Sequence, residues 1–179
     1  MENLLELLRT RRSTRSFKET QISPELVEQL MHAVLMSPSS KRSNPWQFIL
    51  VEEPEMLKSL SECKKNGCQL IDGAALAVVV LADPECSDVW IEDVSIASLI
   101  LHLEAEDLGL GSCWVQIRER QTADGKDSEA VVRHLLNIPE NLRVESIVAL
   151  GVKNEVKKPF DETRLQWEKV HVGKFGQAK

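Results

Sequence analysis

Residues 11–15 read Arg11-Arg12-Ser13-Thr14-Arg15, three guanidinium groups and two hydroxyls in one short stretch. That set suits a phosphate dianion, because guanidinium forks make charge-assisted, bidentate hydrogen bonds and a serine adds a donor. The competing reading is a solvated run of charge with no ligand. A second candidate is Ser37-Pro38-Ser39-Ser40-Lys41-Arg42-Ser43-Asn44-Pro45, a loop by composition that offers hydroxyl and main-chain groups. Loops of this kind also serve simply as surface connections.

Other motifs are weaker. Gly109-Leu110-Gly111-Ser112 would let backbone approach a flat ligand, but without a third glycine or a βα context it is no dinucleotide fingerprint, and it reads first as a helix stop. His32, His102, His134 and His171 are scattered, with no carboxylate or cysteine at motif spacing. A hydrolytic triad and a metal site therefore lack a frame, and each histidine reads as structural or surface. Cys63, Cys68, Cys86 and Cys113 lack CxxC spacing, so reduced thiols are expected. Tryptophans read first as core, with Trp46 and Trp114, beside polar loops, as the ones that could stack on a ligand.

The elements that position these residues follow from periodicity. Leu4, Leu5 and Leu8 share a face of a short helix that ends before the arginines. Ser23-Pro24 caps a second helix, which stops near Met36. A strand is expected over 46–51, a helix from Pro54 to about Glu62, and a strand over 76–82 so apolar that both faces need cover. Residues 89–108 predict a helix with almost no polar face, hence central or shared with another subunit. Strands are expected over 113–117 and 144–152, with a short helix between them over about 129–136. The tail from Lys153 is polar, with Phe160, Trp167 and Phe175 as isolated anchors. The architecture reads as α+β or α/β in one domain, 1–179.

At 179 residues, 42% apolar, the chain fits one domain of ordinary size. Its net charge of −6 gives no long-range attraction for nucleic acid or an anionic membrane. No segment reads as a membrane helix or secretion signal, so a cytoplasmic setting is expected. The charge is uneven: residues 1–18 carry +3, residues 153–179 carry +3, and the middle of the chain carries −12.

Taken in order, Arg11-Arg12-Ser13-Thr14-Arg15-Ser16-Phe17, then Ser37 to Trp46, then Leu108-Gly109-Leu110-Gly111-Ser112-Cys113-Trp114, then Leu150-Gly151 resemble the FMN-dependent nitroreductase family over nearly the whole chain. The resemblance implies an α+β fold with a central, mostly antiparallel sheet flanked by helices, in an intertwined homodimer with FMN at the subunit interface. It implies that 153–179 form an extension reaching the partner. Arg11, Ser13 and Arg15 would bind FMN, with Arg12 as runner-up. Pro38, Ser39, Ser40 and Asn44 would come from the partner subunit, Asn44 standing where the family commonly has glutamine. Arg42 replaces a usual asparagine and is given no role. Asn66 and Gln69 match positions that reach the flavin in some members. Trp114, Val115 and Gln116 would lie along the isoalloxazine, with a main-chain N–H near Gln116 directed at N5. Gly151 would pass the phosphate side, and Arg164 would be the C-terminal phosphate ligand, with Lys158 or Lys174 as substitutes.

By the same resemblance the activity is an NAD(P)H-dependent flavin oxidoreductase working in two ping-pong half-reactions on nitroaromatic, quinone or related acceptors. The flavin carries the redox chemistry, which accounts for the lack of any evident catalytic acid, base or nucleophile. Alternatives keep the fold but change the acceptor to an enone, a halogenated aromatic or free flavin, or leave a flavin-binding module without turnover.

Overall fold

The computed structural model describes residues 3–177. In chain order the elements are α1 (Leu4–Thr10), α2 (Pro24–Leu35), β1 (Trp46–Val51), α3 (Pro54–Leu60), β2 (Leu76–Ala82), α4 (Trp90–Asp107), β3 (Leu110–Gln116), α5 (Ser128–Leu135) and β4 (Arg143–Val152). Single 3-10 turns lie at Ser40–Arg42, Gln69–Ile71, Glu162–Arg164 and Trp167–Lys169.

The four strands form one sheet in the order β1-β2-β4-β3, and every pairing is antiparallel. The four-stranded sheet is thus antiparallel and flanked by helices, as the resemblance implies. β2 and β4 occupy its centre, which explains why β2 is buried at all seven positions. Successive side chains alternate between faces. Leu76, Val78, Val80, Val148 and Leu150 point to the layer made by α2 and α4. Ala77, Val79, Leu81, Val115, Ile147 and Ala149 point to the layer containing α3 and α5.

α2 is capped by the Ser23 hydroxyl, which accepts from Leu26 N, with Pro24 in the first turn, as its sequence predicts. α4 is buried along Val94, Ala97, Leu101 and Ala105, while Ile96 and Leu99 face solvent in the single chain. Gly109 has φ +74, so it ends α4 as expected, but β3 starts immediately at Leu110. Leu110-Gly111-Ser112 is therefore strand, not an open loop. Among the described residues no helix is long and apolar enough to cross a membrane.

Candidate functional site

The N-terminal segment after α1 lies along the outer edge of β3. Thr14 N donates to Ser112 O at 2.9 Å, and Ser13 forms a parallel bridge with Ser112. Farther on, Phe17 bridges Lys153 and Lys18 N donates to Val152 O at 2.9 Å. Two glycines permit this close approach. A Cβ on Gly111 would stand 2.7 Å from Thr14 Cγ2, and one on Gly151 would stand 2.9 Å from Phe17 Cδ1. Gly151 is buried and packing against Phe17 accounts for it, a role the expectation of a ligand contact did not contain.

Antiparallel pairing turns the main-chain groups of alternate residues toward and away from the partner strand. Ser112 O faces outward to Thr14, and Ile117 N faces inward to Glu145 O. Trp114 and Gln116 share the phase of Ser112, so their N–H groups lie on the open edge of β3, just past the point where the N-terminal segment leaves it. Val115, one residue out of phase, is buried in the core on the opposite face.

Above this edge, His102 of α4 places Nδ1 2.7 Å from Ser112 Oγ, and its ring stacks on Trp114 with centroids 6.4 Å apart. Burial, with help from the Arg11 charge, lowers the His102 pKa to about 4, so the imidazole is neutral at ordinary pH. Arg9 is spent in ion pairs with Glu6 and Glu162. Among the described residues no carboxylate neutralises the side chain of Arg11, Arg12 or Arg15.

Arg12 is separated from the other two. With Thr10, Thr14, Lys18, Lys153 and Lys157 it lines a 490 Å³ cavity, and it donates to Lys158 O at 2.5 Å. This contact belongs to a run that ties the tail to its own N-terminal segment: Asn154 N donates to Ser16 O, Glu155 Oε1 accepts from Arg15 N, and Phe160 N donates to Arg9 O. The two basic ends of the chain therefore meet. Residues 154–160 thus pack against the N-terminal segment of the same chain. Arg164 is exposed on its 3-10 turn, as are Lys158 and Lys174. Burial raises the Cys113 thiol pKa against the charges of Arg15, Lys157 and Lys64, the last of these in the turn that precedes β2. In that turn Asn66 is exposed, and Gln69 Oε1 accepts from Gly67 N at 2.9 Å.

The 38–44 loop sits elsewhere. Asp93, buried in the first turn of α4, accepts from Ser40 N at 2.8 Å and from Ser87 Oγ at 2.7 Å. Ser39 Oγ accepts from Asn44 N at 2.9 Å and lies 2.8 Å from Asn44 Oδ1, and Lys41, Arg42 and Asn44 all have positive φ. Asp93 and His102 are nine positions apart on one helix, about 13 Å at 1.5 Å per residue. One chain does not bring Pro38, Ser39, Ser40 and Asn44 onto Arg11 and Ser13.

Sequence reasoning missed His102, Ser112, Asp93 and Glu145. Asp93, beside Glu92 in the first turn of α4 and followed by a largely apolar stretch, was a usable signal. Glu145, 4% exposed, is reached through a chain in which Trp114 Nε1 donates to Gln116 Oε1 at 2.9 Å and Gln116 Nε2 donates to Glu145 Oε1 at 3.1 Å.

Comparison with known proteins matches this arrangement. The chain is 37% identical over 180 residues to a putative NADH dehydrogenase/NAD(P)H nitroreductase of Archaeoglobus fulgidus, covering 98% of this chain and 100% of that one. It is 32% identical to a protein of the same description from Methanothermobacter thermautotrophicus, over 93% of this chain and 87% of the other. The solved structure of an FMN-dependent nitroreductase from Clostridium difficile superposes with a TM-score of 0.93 at 40% identity, covering 96% of this chain and 99% of that one. Residues 8–152 match the model of the nitroreductase family, the span that holds α4, the whole sheet and the Arg11 to Arg15 cluster, and the chain belongs to that family.

Proposed function

We propose that this nitroreductase-family protein is an FMN-dependent oxidoreductase that takes reducing equivalents from NAD(P)H and passes them to a nitroaromatic, quinone or related acceptor, in two half-reactions that share one pocket. The observation that carries the reading is the basic segment of Arg11, Ser13 and Arg15, on whose guanidinium groups no carboxylate of the described residues sits although Glu155 accepts from the Arg15 main chain, next to two outward main-chain amides on a strand edge. The Clostridium difficile relative, an FMN-dependent nitroreductase, supports it.

The donor set fits the cofactor. Arg11 and Ser13 supply charge-assisted donors for its phosphate, and one arginine of the cluster lies near the pyrimidine edge of the ring. The outward Gln116 N–H, with no partner among the described residues, is a donor for ring N5, and the Trp114 indole gives a flat apolar wall. When bound, FMN supplies the two-electron chemistry between nicotinamide and acceptor. Neutral His102 braces Ser112 and Trp114 without adding a competing charge beside Arg11.

A second copy of the chain completes the pocket in this reading, contributing Pro38, Ser39, Ser40 and Asn44 of the partner subunit. The single chain leaves Leu5 at 70%, Leu99 at 49% and Phe175 at 92% exposure, apolar surface that a homodimer would cover.

The purified protein, supplied with FMN and freed of excess by gel filtration, should retain a flavin absorbance spectrum. Anaerobic NADH or NADPH should bleach it, and a quinone should restore it. Protein that elutes colourless, or flavin that neither nucleotide bleaches, would refute the assignment.

A further inference from the structure

We propose that the 490 Å³ cavity beside Arg12 is a second anion site, separate from the Arg11, Ser13 and Arg15 cluster, and that it takes a phosphate monoester. The site stands on its own residues and does not require the flavin reading.

Successive side chains of an extended segment turn to opposite sides. Arg12 and Thr14 line the cavity, with Lys18 farther along, whereas Arg11, Ser13 and Arg15 do not. The tail supplies Lys153 and Lys157, and α4 supplies Glu106. This tail is not draped loosely over the hollow. Asn154 N donates to Ser16 O at 3.0 Å, Glu155 Oε1 accepts from Arg15 N, and Arg12 donates to Lys158 O. The main chain on both sides of the cavity is therefore tied together while the side chains between are left to a ligand.

Those side chains are unbalanced in charge. Arg12, Lys18, Lys153 and Lys157 stand against Glu106 and Glu155, so the cations exceed the carboxylates by two. Lys153 pairs with Glu106 at 2.8 Å and Lys157 with Glu155 at 3.3 Å. Arg12 and Lys18 pair with no carboxylate among the described residues. Thr14 is 4% exposed, and its hydroxyl meets no partner among the described residues. Burying a hydroxyl without a hydrogen bond is unfavourable, and a valine would fill the same space without that cost.

A guanidinium fork, an ammonium and a hydroxyl form the donor set of a phosphate dianion, and the surplus of two positive charges matches it. The volume exceeds what a bare phosphate fills and falls in the range of small-molecule sites, so the phosphate carries an organic group. Val156 and Pro159 on the cavity wall offer that group apolar contact. The shared chemistry is a phosphomonoester, which either a free mononucleotide or the 2′-phosphate of NADPH supplies.

Calorimetric titration of FMN-loaded protein with 2′-AMP and 5′-AMP tests the site. One nucleotide should bind per chain while FMN stays bound. Thr14→Val and Lys18→Met should each weaken binding about tenfold, the scale of one lost contact to a charged group, and Arg12→Ala by more. Lys126→Met, which removes an exposed partner of Asp124 outside the cavity, should change it less than about twofold. A preference for 2′-AMP, with the NADPH KM raised by Lys18→Met and the NADH KM constant, supports the site with the dinucleotide as its source. A preference for 5′-AMP with both KM values constant supports it with a free nucleotide. Absence of binding, binding that FMN blocks, or an equal loss in Lys126→Met would overturn the proposal. If Arg12→Ala does not fold, parental affinity in both Thr14→Val and Lys18→Met overturns it. Should the protein hold no FMN, the flavin reading fails by itself, and loss of AMP binding in Arg11→Ala would then overturn the second site as well.

Discussion

The Nδ1 atom of His102 lies 2.7 Å from the hydroxyl of Ser112, and the carbonyl of that same serine holds Thr14. One residue thus joins α4, the edge strand and the cationic segment.

The His102 imidazole titrates near 4 when folded and near its ordinary 6.5 when unfolded, so the unfolded chain takes up the proton first as pH falls. Stability from this group is complete above pH 6.5 and is lost on descending toward pH 4, by up to about 3 kcal/mol. Urea unfolding at pH 7, 5 and 4 should show that loss in the parent and a flatter profile in His102→Asn. Identical pH slopes would remove His102 as the cause.

Arg11 and Arg12 are sequence neighbours with different outlooks, one beside His102 and the other lining a separate cavity. Arg11→Ala should weaken FMN binding by about 2 kcal/mol, the scale of a lost charge-assisted contact, and Arg12→Ala by well under half of that. Flavin fluorescence titration measures both. Equal losses would mean that the two arginines converge on one phosphate.

Gly151 stands under the Phe17 ring, where an added methyl would meet Cδ1 at 2.9 Å. Gly151→Ala should cost about 1–3 kcal/mol of stability through overpacking. The folded fraction should keep its FMN affinity. A variant with parental urea stability and weakened FMN binding would restore Gly151 to the ligand.

Asp93 ties the 38–44 loop to α4 through Ser40 N and the Ser87 hydroxyl. Three positive-φ residues, Lys41, Arg42 and Asn44, make this loop expensive to hold in one shape. Asp93→Ala should destabilise the protein by about 2 kcal/mol and speed amide exchange at Ser40, read by NMR or mass spectrometry. Ser40 protection at the parental level would show that other contacts hold the loop.

Much of this was legible in the sequence because it is local. β1 and β2 begin and end where the residue pattern places them, since each is a short apolar run between turn residues. The Arg11 to Arg15 cluster and the α4 helix with its uncovered Ile96 and Leu99 were equally readable. Nonlocal features were not. His102 meets Ser112 only because Gly109 reverses the chain and lays the last turns of α4 over β3. Glu145 sits inside a run that alternation reads as plain strand, and a bulge has no composition of its own. The packing of Phe17 on Gly151 was not readable, because Phe17 arrives from the far end of the chain.

The outward amides of Trp114 and Gln116 have a second consequence, for the life of the protein before it meets its cofactor. A strand edge with free donors is a template on which another polypeptide can add a strand. The N-terminal segment shields this edge as far as Ser112, and in the proposed reading the bound group would cover the remainder. Flavin would then act as a folding partner as well as a reagent. Light scattering during refolding should rise when FMN is withheld, and riboflavin-starved cells should lose the polypeptide itself along with its activity.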